Sequence, residues 1–546
     1  VVSLNSDKRR RINSELLQSS ITKVSIVNTL RTLQKHNLLA DGFFNESTCM
    51  RELQNVARDV GESMTPYGAV LQHMHIDGME GPFPYINPLA FLYYASRRVK
   101  RLGQLLVDVA RKHPEGCSII LYIDECNPGN PLRVGAPRQL QCMYWTIAEL
   151  PSSILSSMDG WFYFGLLKSR SADQIEGGLS PLIKHTLRAF WPLHGPSFTD
   201  GVQVAGLESH AVFTARFCGL LADESAHKYC LDLKGASGNR CCHDCSNLWK
   251  RAPAVAIDGT NIVGLSCPDI CALVPHSTSS FYKMVDQLSD AHTVLGKTKF
   301  GVLETELGLT YNEHGLLWDK SIRNVFDCTK HVLRDSMHTL ASNGLIGTEL
   351  AMIIPRLAAA DPHWSLEIIK AYAQSWILPK RLRSVKSNWF DESFFLRDKT
   401  KYFASEEVCI MNLLYMFLVE VVQPSGKLKA ELVCFGFLHR IVSLFMLGAD
   451  LPLDRLDEID DLIYKHHKIY IEIYPPLAVK EKYHRLLHCT DSARRMGKHL
   501  SCWVTERKHT RVKRESTFLF NHIEKTSVLG LVEKQLSEMS SDGWFG

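Results

Sequence analysis

Residues 117–131 read CSIILYIDECNPGNP, and this stretch decides how the rest of the chain is interpreted. Residues 117–123 form a compact apolar and aromatic run, which predicts a buried β-strand. Asp124 follows it directly, and a turn-forming Asn-Pro-Gly-Asn-Pro segment begins three positions later. A carboxylate at the end of a buried strand is held rigidly beside a cleft, so it can serve as an oxygen ligand for Mg²⁺. An aspartate that only caps the loop is the competing interpretation.

The segments after this stretch continue the pattern. Residues 139–147 and 161–167 are two further strand signals, and residues 174–190 fit an amphipathic helix. Residues 201–207 and 212–221 are strand-like again. Three strands, a helix and further strands predict an α/β domain with a mixed sheet. This is also the order of a ribonuclease-H-like domain, in which the first and fourth strands each carry an acid.

Helical patterns lie on both sides of this domain. Residues 1–75 predict a partly basic helical region, which is either a DNA-reading module or a packing arm. The connector after it has a turn at 81–84 and a basic helix at about 88–112. Residues 270–475 predict helices with little strand, and residues 481–516 predict a very basic helical segment.

Length and composition bound the class of protein. With 546 residues, the chain is too long for one ordinary core and predicts roughly two to four domains or one elaborated catalytic domain. Hydrophobic residues make up 45% and charged residues 22%, which excludes a mainly disordered chain. The net charge of +4 is mild, so nucleic-acid binding has to be inferred from local clusters of charge.

The start of the chain and its cysteines favour an intracellular, reduced setting. The chain begins VVSLNSDKRRR, which is polar and basic, unlike the apolar core of a secretory signal. Most of the 16 cysteines are therefore predicted to be small buried hydrophobes. The best apolar runs, 408–422 and 432–447, contain charged residues and are shorter than the ~20 residues of a membrane span. We therefore expect core helices and no membrane association.

A second acid follows another apolar run. Asp223 ends the segment ARFCGLLAD. If its strand is a neighbour of the strand that precedes Asp124, the two carboxylates can meet and hold two metal ions for phosphoryl transfer. Each aspartate is followed by a glutamate, Glu125 or Glu224, and we choose the aspartates because they lie closest to the strands.

A half-site for zinc follows in the segment KGASGNRCCHDC. Cys242 and Cys245 have the CxxC spacing of one half of a tetrahedral zinc site. The other half is predicted in the segment HRLLH, where His484 and His488 are spaced i and i+4 on one helix face. A chance CxxC and two surface histidines are the competing interpretations.

A basic segment near the C-terminus surrounds a single acid. Between residues 494 and 514 there are eight lysines or arginines, and Glu506 is the one acid. An isolated carboxylate in such a field suits a position beside phosphates and metal, whereas an ordinary solvated basic helix is the alternative. The residues predicted to contact DNA are Arg507, Lys508, Arg511, Lys513 and Arg514.

A further polar pair lies in the helical region. Asp335 and His338 form a DxxH motif, and a helix would place them on neighbouring positions. They suit either a hydrogen-bonded structural pair or a second metal site, and we favour the structural interpretation.

Together these segments resemble the CACTA (EnSpm-like) family of DDE transposases. The similarity depends on five motifs in the family's order, spread over residues from about 117 to 515. They are YIDECNPGNPL with the first acid, GLLADESAHKYCLDLKGASGNRCCHDC with the second acid and the cysteine pair, DSMHTL, KYHRLLH, and TERKHTRVKR with the third acid. The sequence departs from the family in having no clear N-terminal zinc finger.

The resemblance implies the composition of the site. The implied catalytic triad, which would bind Mg²⁺ or Mn²⁺, is Asp124, Asp223 and Glu506. The rival third acids are Glu349, Glu406 and Glu407. By similarity to the catalytic subunit of the antigen-receptor recombinase, the implied ligands of a structural zinc are Cys242, Cys245, His484 and His488.

The resemblance also implies a reaction and a setting. Water would cut the DNA at the element end, and the freed 3′-hydroxyl would then attack target DNA. We expect a nuclear protein that acts on transposon ends and target DNA as a homodimer or higher oligomer. The other functions left open are a decayed or domesticated transposase-derived DNA-binding protein, a zinc-containing scaffold with no DNA role, and a repair or RNA-processing nuclease on the same fold.

The predicted fold class is α/β, a ribonuclease-H-like mixed-sheet core interrupted by a large all-α insertion and preceded by a helical region. The predicted order is a helical N-terminal region at 1–75, a helical connector at 76–116, the first part of the core with the CxxC at 117–250, a mainly helical insertion at 251–480, and the rest of the core with the HxxxH and basic helix at 481–546.

Overall fold

The computed structural model describes residues 23–36, 58–128, 138–240, 242–247, 274–379, 386–474, 480–517, 519 and 522–540. The chain divides into two compact units, each assembled from separate stretches of sequence. The first comprises Val1–Leu220, Glu313–Phe326 and Val504–Gly546, and the second comprises Leu221–Asn312 and Asp327–Trp503. The architecture is mixed α/β, which confirms the predicted class.

A mixed sheet forms the centre of the first unit, and within this unit its strand order is β10-β5-β6-β7-β4-β3. Two short antiparallel ribbons, β1–β2 and β8–β9, accompany it. The strands are β1 Met64–Thr65, β2 Gly68–Ala69, β3 Leu71–Met74, β4 Phe83–Ile86, β5 Cys117–Cys126, β6 Leu140–Ile147, β7 Phe162–Lys168, β8 Val202–Ala205, β9 His210–Phe213 and β10 Ala215–Ala222.

Strands β5 and β6 lie at the middle of the sheet because nearly all their side chains are apolar and buried. They pair antiparallel, and the register places Asp124 opposite Cys142 and Tyr122 opposite Tyr144. Successive side chains of a strand point to opposite faces, so every second residue shares a face. This pairing therefore puts the end of β5, with its acid, on a rigid and buried support.

The following helices of the first unit come before the second unit in the sequence. They are α1 Lys23–Lys35, α2 Pro88–Arg98, α3 Lys100–Lys112, α4 Ser152–Leu155, α5 Ser169–Ala172 and α6 Leu179–Phe190. Helix α2 begins where Asn87 accepts a hydrogen bond from the Ala90 amide and Pro88 occupies the first helical position. The predicted single helix at 88–112 is two helices, because the backbone of Val99 is extended.

Helices dominate the second unit, as predicted for residues 270–475. Their apolar faces share one core, which includes Leu350, Leu414, Leu438 and Ile463. The elements of this unit are α7 Glu224–Cys230, α8 Thr278–Val294, α9 Lys297–Leu307, α10 Cys328–His331, β11 Val332–Arg334, α11 Ser336–Leu340, α12 Leu345–Ala360, α13 Leu366–Gln374, α14 Ala404–Phe417, α15 Lys429–Phe445, α16 Leu456–Ile473, α17 Glu481–Leu486 and α18 Cys489–Met496. Helix α19 Trp503–Ser516 then returns to the first unit, and α20 Ile523–Met539 follows.

One helical run in the described part of the chain is long enough and apolar enough, by length and composition alone, to cross a membrane. Ala404–Ser425 has 22 residues, so it is longer than the apolar run expected from sequence. A core helix of a soluble protein can have the same length and composition. In this run, Leu414, Phe417 and Val422 are buried in the core of the second unit.

The structure corrects three predicted elements. Residues 64–74 form strands β1–β3 although residues 1–75 predict helices; the left-handed φ of +92° at Gly68 makes the turn between β1 and β2. Phe83 and Pro84 belong to strand β4, and the turn precedes them at Gly81. Helix α6 begins at Leu179, because Gly178 also has a positive φ. Within the predicted helical region at 1–75, the structure describes residues 23–36 and 58–75, and the rest of this prediction lies outside the described residues.

Candidate metal-binding sites

The first site joins the end of β5 to helix α19. The Tyr122 hydroxyl lies 3.1 Å from Asp124 Oδ2, 3.3 Å from Glu506 Oε1 and 3.2 Å from His509 Nε2. Ligand atoms of Asp124, Glu506 and His509 all lie within 4.8 Å of one another, and both carboxylates are partly exposed. Tyr122 and Glu506 are 384 residues apart in the chain, so only the fold brings these groups together.

The structure separates the roles of the two neighbouring acids, Asp124 and Glu125. Glu125 accepts hydrogen bonds from Ser169 Oγ at 2.7 Å and from Gln141 Nε2 at 3.2 Å. Because the two side chains project from opposite faces of β5, one carboxylate faces Glu506 while the other is held by neutral donors. The geometry therefore supports the choice of Asp124.

Electrostatic coupling within the first site is strong. Burial opposes ionisation of Asp124, but hydrogen bonds from His509 and Glu506 outweigh it and lower the pKa of Asp124 to about 2. Burial also disfavours the charged form of His509, yet its hydrogen bonds with Asp124 and Cys126 raise its pKa to about 9. The site therefore pairs an ionised Asp124 carboxylate with a protonated His509 imidazole, and a metal ion held by Asp124 and Glu506 would compete with this imidazolium.

The sequence prediction missed part of this site. Tyr122 and Cys126 share the β5 face of Asp124, and on β6 Tyr144 lies opposite Tyr122 and Cys142 lies opposite Asp124. The His509 ring lies between the two tyrosines, with Nδ1 3.0 Å from the Tyr144 hydroxyl. The alternation of a strand and the i, i+3 spacing of Glu506 and His509 were available signals for these neighbours.

The predicted DNA-contacting residues of α19 differ in their burial and in their partners. Lys508 is fully buried, donates to the Met158 carbonyl at 2.9 Å, and lies 3.7 Å from the centre of the Tyr163 ring. Burial holds its pKa well below the usual range. Arg511 pairs with Asp159 at 2.5 Å and Glu538 at 2.9 Å. Lys508 is therefore a correction: it packs against the first unit instead of facing a phosphate.

Three members of the predicted DNA-contacting set are exposed. Arg507 donates to the Ser156 carbonyl at 3.0 Å and remains accessible. Lys513 and Arg514 are exposed in the last turn of α19. Cations at the C-terminal end of a helix are also favoured by its dipole, so their position has a local structural reason as well.

The second site lies in the second unit and contains all four predicted zinc ligands. Cys242, Cys245, His484 and His488 are buried, and their ligand atoms lie within 4.8 Å of one another. Cys245 Sγ is 3.3 Å from His484 Nε2, which is 3.3 Å from His488 Nε2. Two thiols and two imidazoles brought together in this way match the donor set of a structural zinc.

An arginine that the sequence did not single out holds the cysteine loop. Arg334, from β11, donates to Asp244 Oδ2 at 2.8 Å and to Cys242 Sγ at 3.2 Å. Burial opposes ionisation of Cys242, but hydrogen bonding with Cys245 and the charges of His488 and Arg334 hold its pKa well below the usual range. Arg334 therefore favours the thiolate form that binds metal.

Asp223 belongs to the second unit, where it caps a helix and lines a cavity. Its carboxylate accepts a hydrogen bond from the Ala226 amide at 2.6 Å at the start of α7. The cavity has a volume of about 240 Å³ and mixes acids with bases. Its charged and imidazole-bearing lining residues are Asp223, Glu224, His227, Arg334, Asp335, His338, Lys482 and Arg485.

The DxxH pair lines the same cavity. Asp335 Oδ2 lies 2.6 Å from His338 Nδ1, and the Asp335 carboxylate also accepts from the backbone amides of His338 and Cys502. Asp335 is buried, whereas His338 is half-buried. The pair is thus hydrogen-bonded, with the aspartate orienting the imidazole.

The rival third acids have other partners within the second unit. Glu349 is fully buried and lies 2.8 Å from His466 Nε2. Glu407 is buried and accepts from the Thr400 hydroxyl at 2.6 Å. Glu406 pairs with Lys386 and caps helix α14. Each of these glutamates thus has a partner of its own within the second unit.

Comparison with known proteins gives no relative from which a function can be carried over. No family model matches the sequence, and no curated protein matches it. Support for a function therefore comes from the motifs and from the geometry of the two sites.

Proposed function

We propose that this chain is a DNA transposase of the CACTA kind, which cuts and joins element ends by metal-dependent phosphoryl transfer on a ribonuclease-H-like core. The meeting of Asp124 and Glu506 carries the proposal, because these acids come from distant parts of the chain and share Tyr122 and His509 as neighbours. Two oxygen donors in a partly exposed pair suit Mg²⁺ or Mn²⁺.

The protein's own groups would position the reactants. When bound, the metal would polarise a phosphate oxygen and lower the pKa of water. Asp124 and Glu506 would hold it, and the Tyr122 hydroxyl would donate its one hydrogen bond to Asp124, the nearer of the two carboxylates. The rigid β5–β6 pair would keep these ligands from moving apart during the reaction.

Asp223 is the proposed second acid. It directly follows strand β10, and the family's second motif likewise has an aspartate at the end of an apolar strand. A structural zinc at Cys242, Cys245, His484 and His488 would fasten the loop after this acid to the helices α17 and α18. The exposed cations of α19 would contact the DNA backbone, and two copies would bring two element ends together in the nucleus.

Metal-dependent nicking of supercoiled plasmid is the test. We expect the purified protein to nick in Mg²⁺ or Mn²⁺, and Asp124→Asn, Asp223→Asn and Glu506→Gln each to lower the rate by at least about a hundredfold. Glu125→Gln is the matched control, because it removes a neighbouring charge on the opposite face of β5 and should retain activity. Circular dichroism would establish that each variant is folded.

The pattern of failure discriminates among the other functions. An inactive Asp124→Asn beside an active Glu506→Gln would reject Glu506, with Glu349 next to be tested. Cutting without joining of 3′-hydroxyl ends would indicate a nuclease on the same fold. Absence of salt-sensitive DNA binding would indicate a scaffold.

A decayed or domesticated DNA-binding protein is the second candidate. The observation that favours it is the contact of His509 with Asp124, whose atoms Nε2 and Oδ2 are 3.5 Å apart. A charged imidazole in this position can satisfy the carboxylates in place of a metal. A folded protein that binds DNA but never nicks it would make this the better assignment.

A further inference from the structure

Two cysteines adjoin the carboxylate pair on the same face of the sheet. Cys126 Sγ and Cys142 Sγ are 3.2 Å apart, one on β5 and the other on β6. With His509 they form a group whose ligand atoms all lie within 4.8 Å of one another. All three residues are buried, and Cys142 is fully so.

This group has a different chemistry from the carboxylate pair. Two sulfurs and an imidazole favour a thiophilic ion such as Zn²⁺, whereas carboxylate oxygens favour Mg²⁺ or Mn²⁺. His509 belongs to both groups, since it also lies within ligand distance of Asp124 and Glu506. One imidazole therefore stands between a sulfur-rich group and an oxygen-rich group.

The surroundings of the group are already rigid. Cys142 lies directly opposite Asp124 in the β5–β6 register, and Cys126 follows Asp124 by two residues on the same face. The His509 ring is held by Tyr122 and Tyr144, whose hydroxyls lie 3.2 and 3.0 Å from its two nitrogens. An ion bound here would therefore need only small side-chain movements, which keeps the cost of forming the site low.

We propose that Cys126, Cys142 and His509 form a binding site for a thiophilic divalent ion, with three protein ligands and one open position. Each cysteine would bind the ion as its thiolate and His509 as its neutral imidazole, so the thiol protons and the imidazolium proton would be released to solvent as the ion binds. The site is separate from the four-ligand group of the second unit. Because His509 is shared, an ion held by the sulfurs would change the environment of Asp124 and Glu506, and it would inhibit the DNA chemistry; this last consequence rests on the proposed function.

Cobalt binding tests the site independently of activity. Apo protein kept reduced and anaerobic would be titrated with Co²⁺, and the thiolate-to-cobalt charge-transfer absorption would be followed. We expect wild type to bind about two ions per chain through thiolates, and Cys126→Ala or Cys142→Ala to bind about one. Cys117→Ala is the matched control, since Cys117 is a buried cysteine at the start of the same strand, and it should bind as wild type does.

Equal cobalt binding by wild type, Cys126→Ala and Cys142→Ala would overturn the proposal. A reduced wild-type protein that binds only one ion through thiolates would also overturn it. If Cys142→Ala fails to fold, Cys126→Ala at the edge of the group decides the result.

Nicking assays then test the inhibitory consequence separately. With Mg²⁺ present, added Zn²⁺ should inhibit wild type at concentrations that leave Cys126→Ala at least about tenfold less affected. If Zn²⁺ inhibits wild type and Cys126→Ala equally while the cobalt results hold, the inhibitory consequence is rejected and the metal site stands. Absence of nicking in every protein would reject the proposed function and leave the cobalt result standing.

Discussion

Lys508 shows why the environment of a residue, and not its charge, decides its function. Its ammonium group is enclosed by Tyr163 and the Met158 carbonyl in the first unit. Its neighbours Arg507, Lys513 and Arg514 in the same helix are exposed instead. DNA binding by α19 is therefore expected to depend on a subset of its cations.

We predict that Lys508→Met lowers stability, whereas Lys513→Ala weakens DNA binding. Lys508→Met leaves the Met158 carbonyl without its donor, so unfolding free energy should fall by about 1–3 kcal/mol with little change in DNA affinity. Lys513→Ala should leave stability unchanged, weaken DNA binding and reduce its salt dependence by about one phosphate contact. Thermal melts and DNA affinities at several salt concentrations measure both. Equal loss of affinity in the two variants would contradict this.

A buried histidine makes the second unit sensitive to acid. His499 lies 2.9 Å from the Ser336 hydroxyl and packs against Phe445. Burial lowers its pKa from 6.5 to about 4. In the unfolded chain the imidazole takes up a proton near pH 6.5, whereas in the folded chain it stays neutral down to about pH 4. Its contribution to stability is therefore present above pH 6.5 and is lost as pH falls toward 4.

We predict that His499→Gln flattens this pH dependence. Between pH 6.5 and 4, wild type should lose about 1.4 kcal/mol of unfolding free energy per pH unit from this one group. The variant should lack that slope although it is less stable at pH 7. His363→Gln, which changes an exposed histidine, is the control and should keep the wild-type slope. Parallel slopes in all three proteins would refute the assignment.

At the scale of elements, three faces of helix α19 lie in three different environments. Glu506 and His509 face the end of β5, Lys508 and Arg511 face the region around Asp159, and the last cations face solvent. A basic helix can therefore deliver an acid to a buried site without exposing all its charge. Close packing also constrains helix α3, where Gly103 lies against the backbone of Ser96 and Ala205.

We predict opposite effects of alanine at two helical glycines. At Gly103 in α3, a Cβ would come within 2.0 Å of the Ala205 carbonyl oxygen and 2.3 Å of the Ser96 carbonyl oxygen, so backbone would have to move. At Gly301 in α9, no heavy atom of the described residues lies within 4 Å of such a Cβ. Gly103→Ala should cost at least about 2 kcal/mol, whereas Gly301→Ala should stabilise by up to about 1 kcal/mol. Chemical denaturation measures both, and equal effects would contradict the packing argument.

At the scale of the whole molecule, metal binding would join distant parts of the chain. Cys242 and Cys245 lie far in sequence from His484 and His488, so a zinc ion at these ligands would close a long loop within the second unit. Constraining such a loop reduces the entropy of the unfolded chain. The ion would therefore be expected to stabilise the second unit.

We predict that removing this ion lowers thermal stability. Cys245→Ser should lower the zinc content by about one ion per chain, and either this variant or chelation should lower the melting temperature by at least about 5 °C. Elemental analysis and calorimetry measure the two effects. Cys230→Ser is a suitable control, because Cys230 is buried in the same unit outside the four-ligand group. A zinc-free protein that melts at the wild-type temperature would contradict the prediction.

The sequence by itself determined the local features of this protein. Apolar runs predicted the ends of β6 and β7 within one residue and those of β5 within three, and the helical character of the described part of residues 270–475 is confirmed. Motif spacing also selected Asp124, Glu506 and the four cysteine and histidine ligands, which the structure gathers into two groups. These features are legible because strand alternation, helical spacing and ligand pairs act over a few residues.

Only the tertiary structure decided which side chains share an environment. It buried Lys508, placed Glu125 away from Glu506, and brought Cys126 and Cys142 to His509. It also showed strands at residues 64–74, where short segments pair with one another instead of following a helical pattern. These outcomes depend on strand register and on contacts between residues hundreds of positions apart, and burial sets their energies. A periodic pattern in one segment contains no information about its distant neighbours.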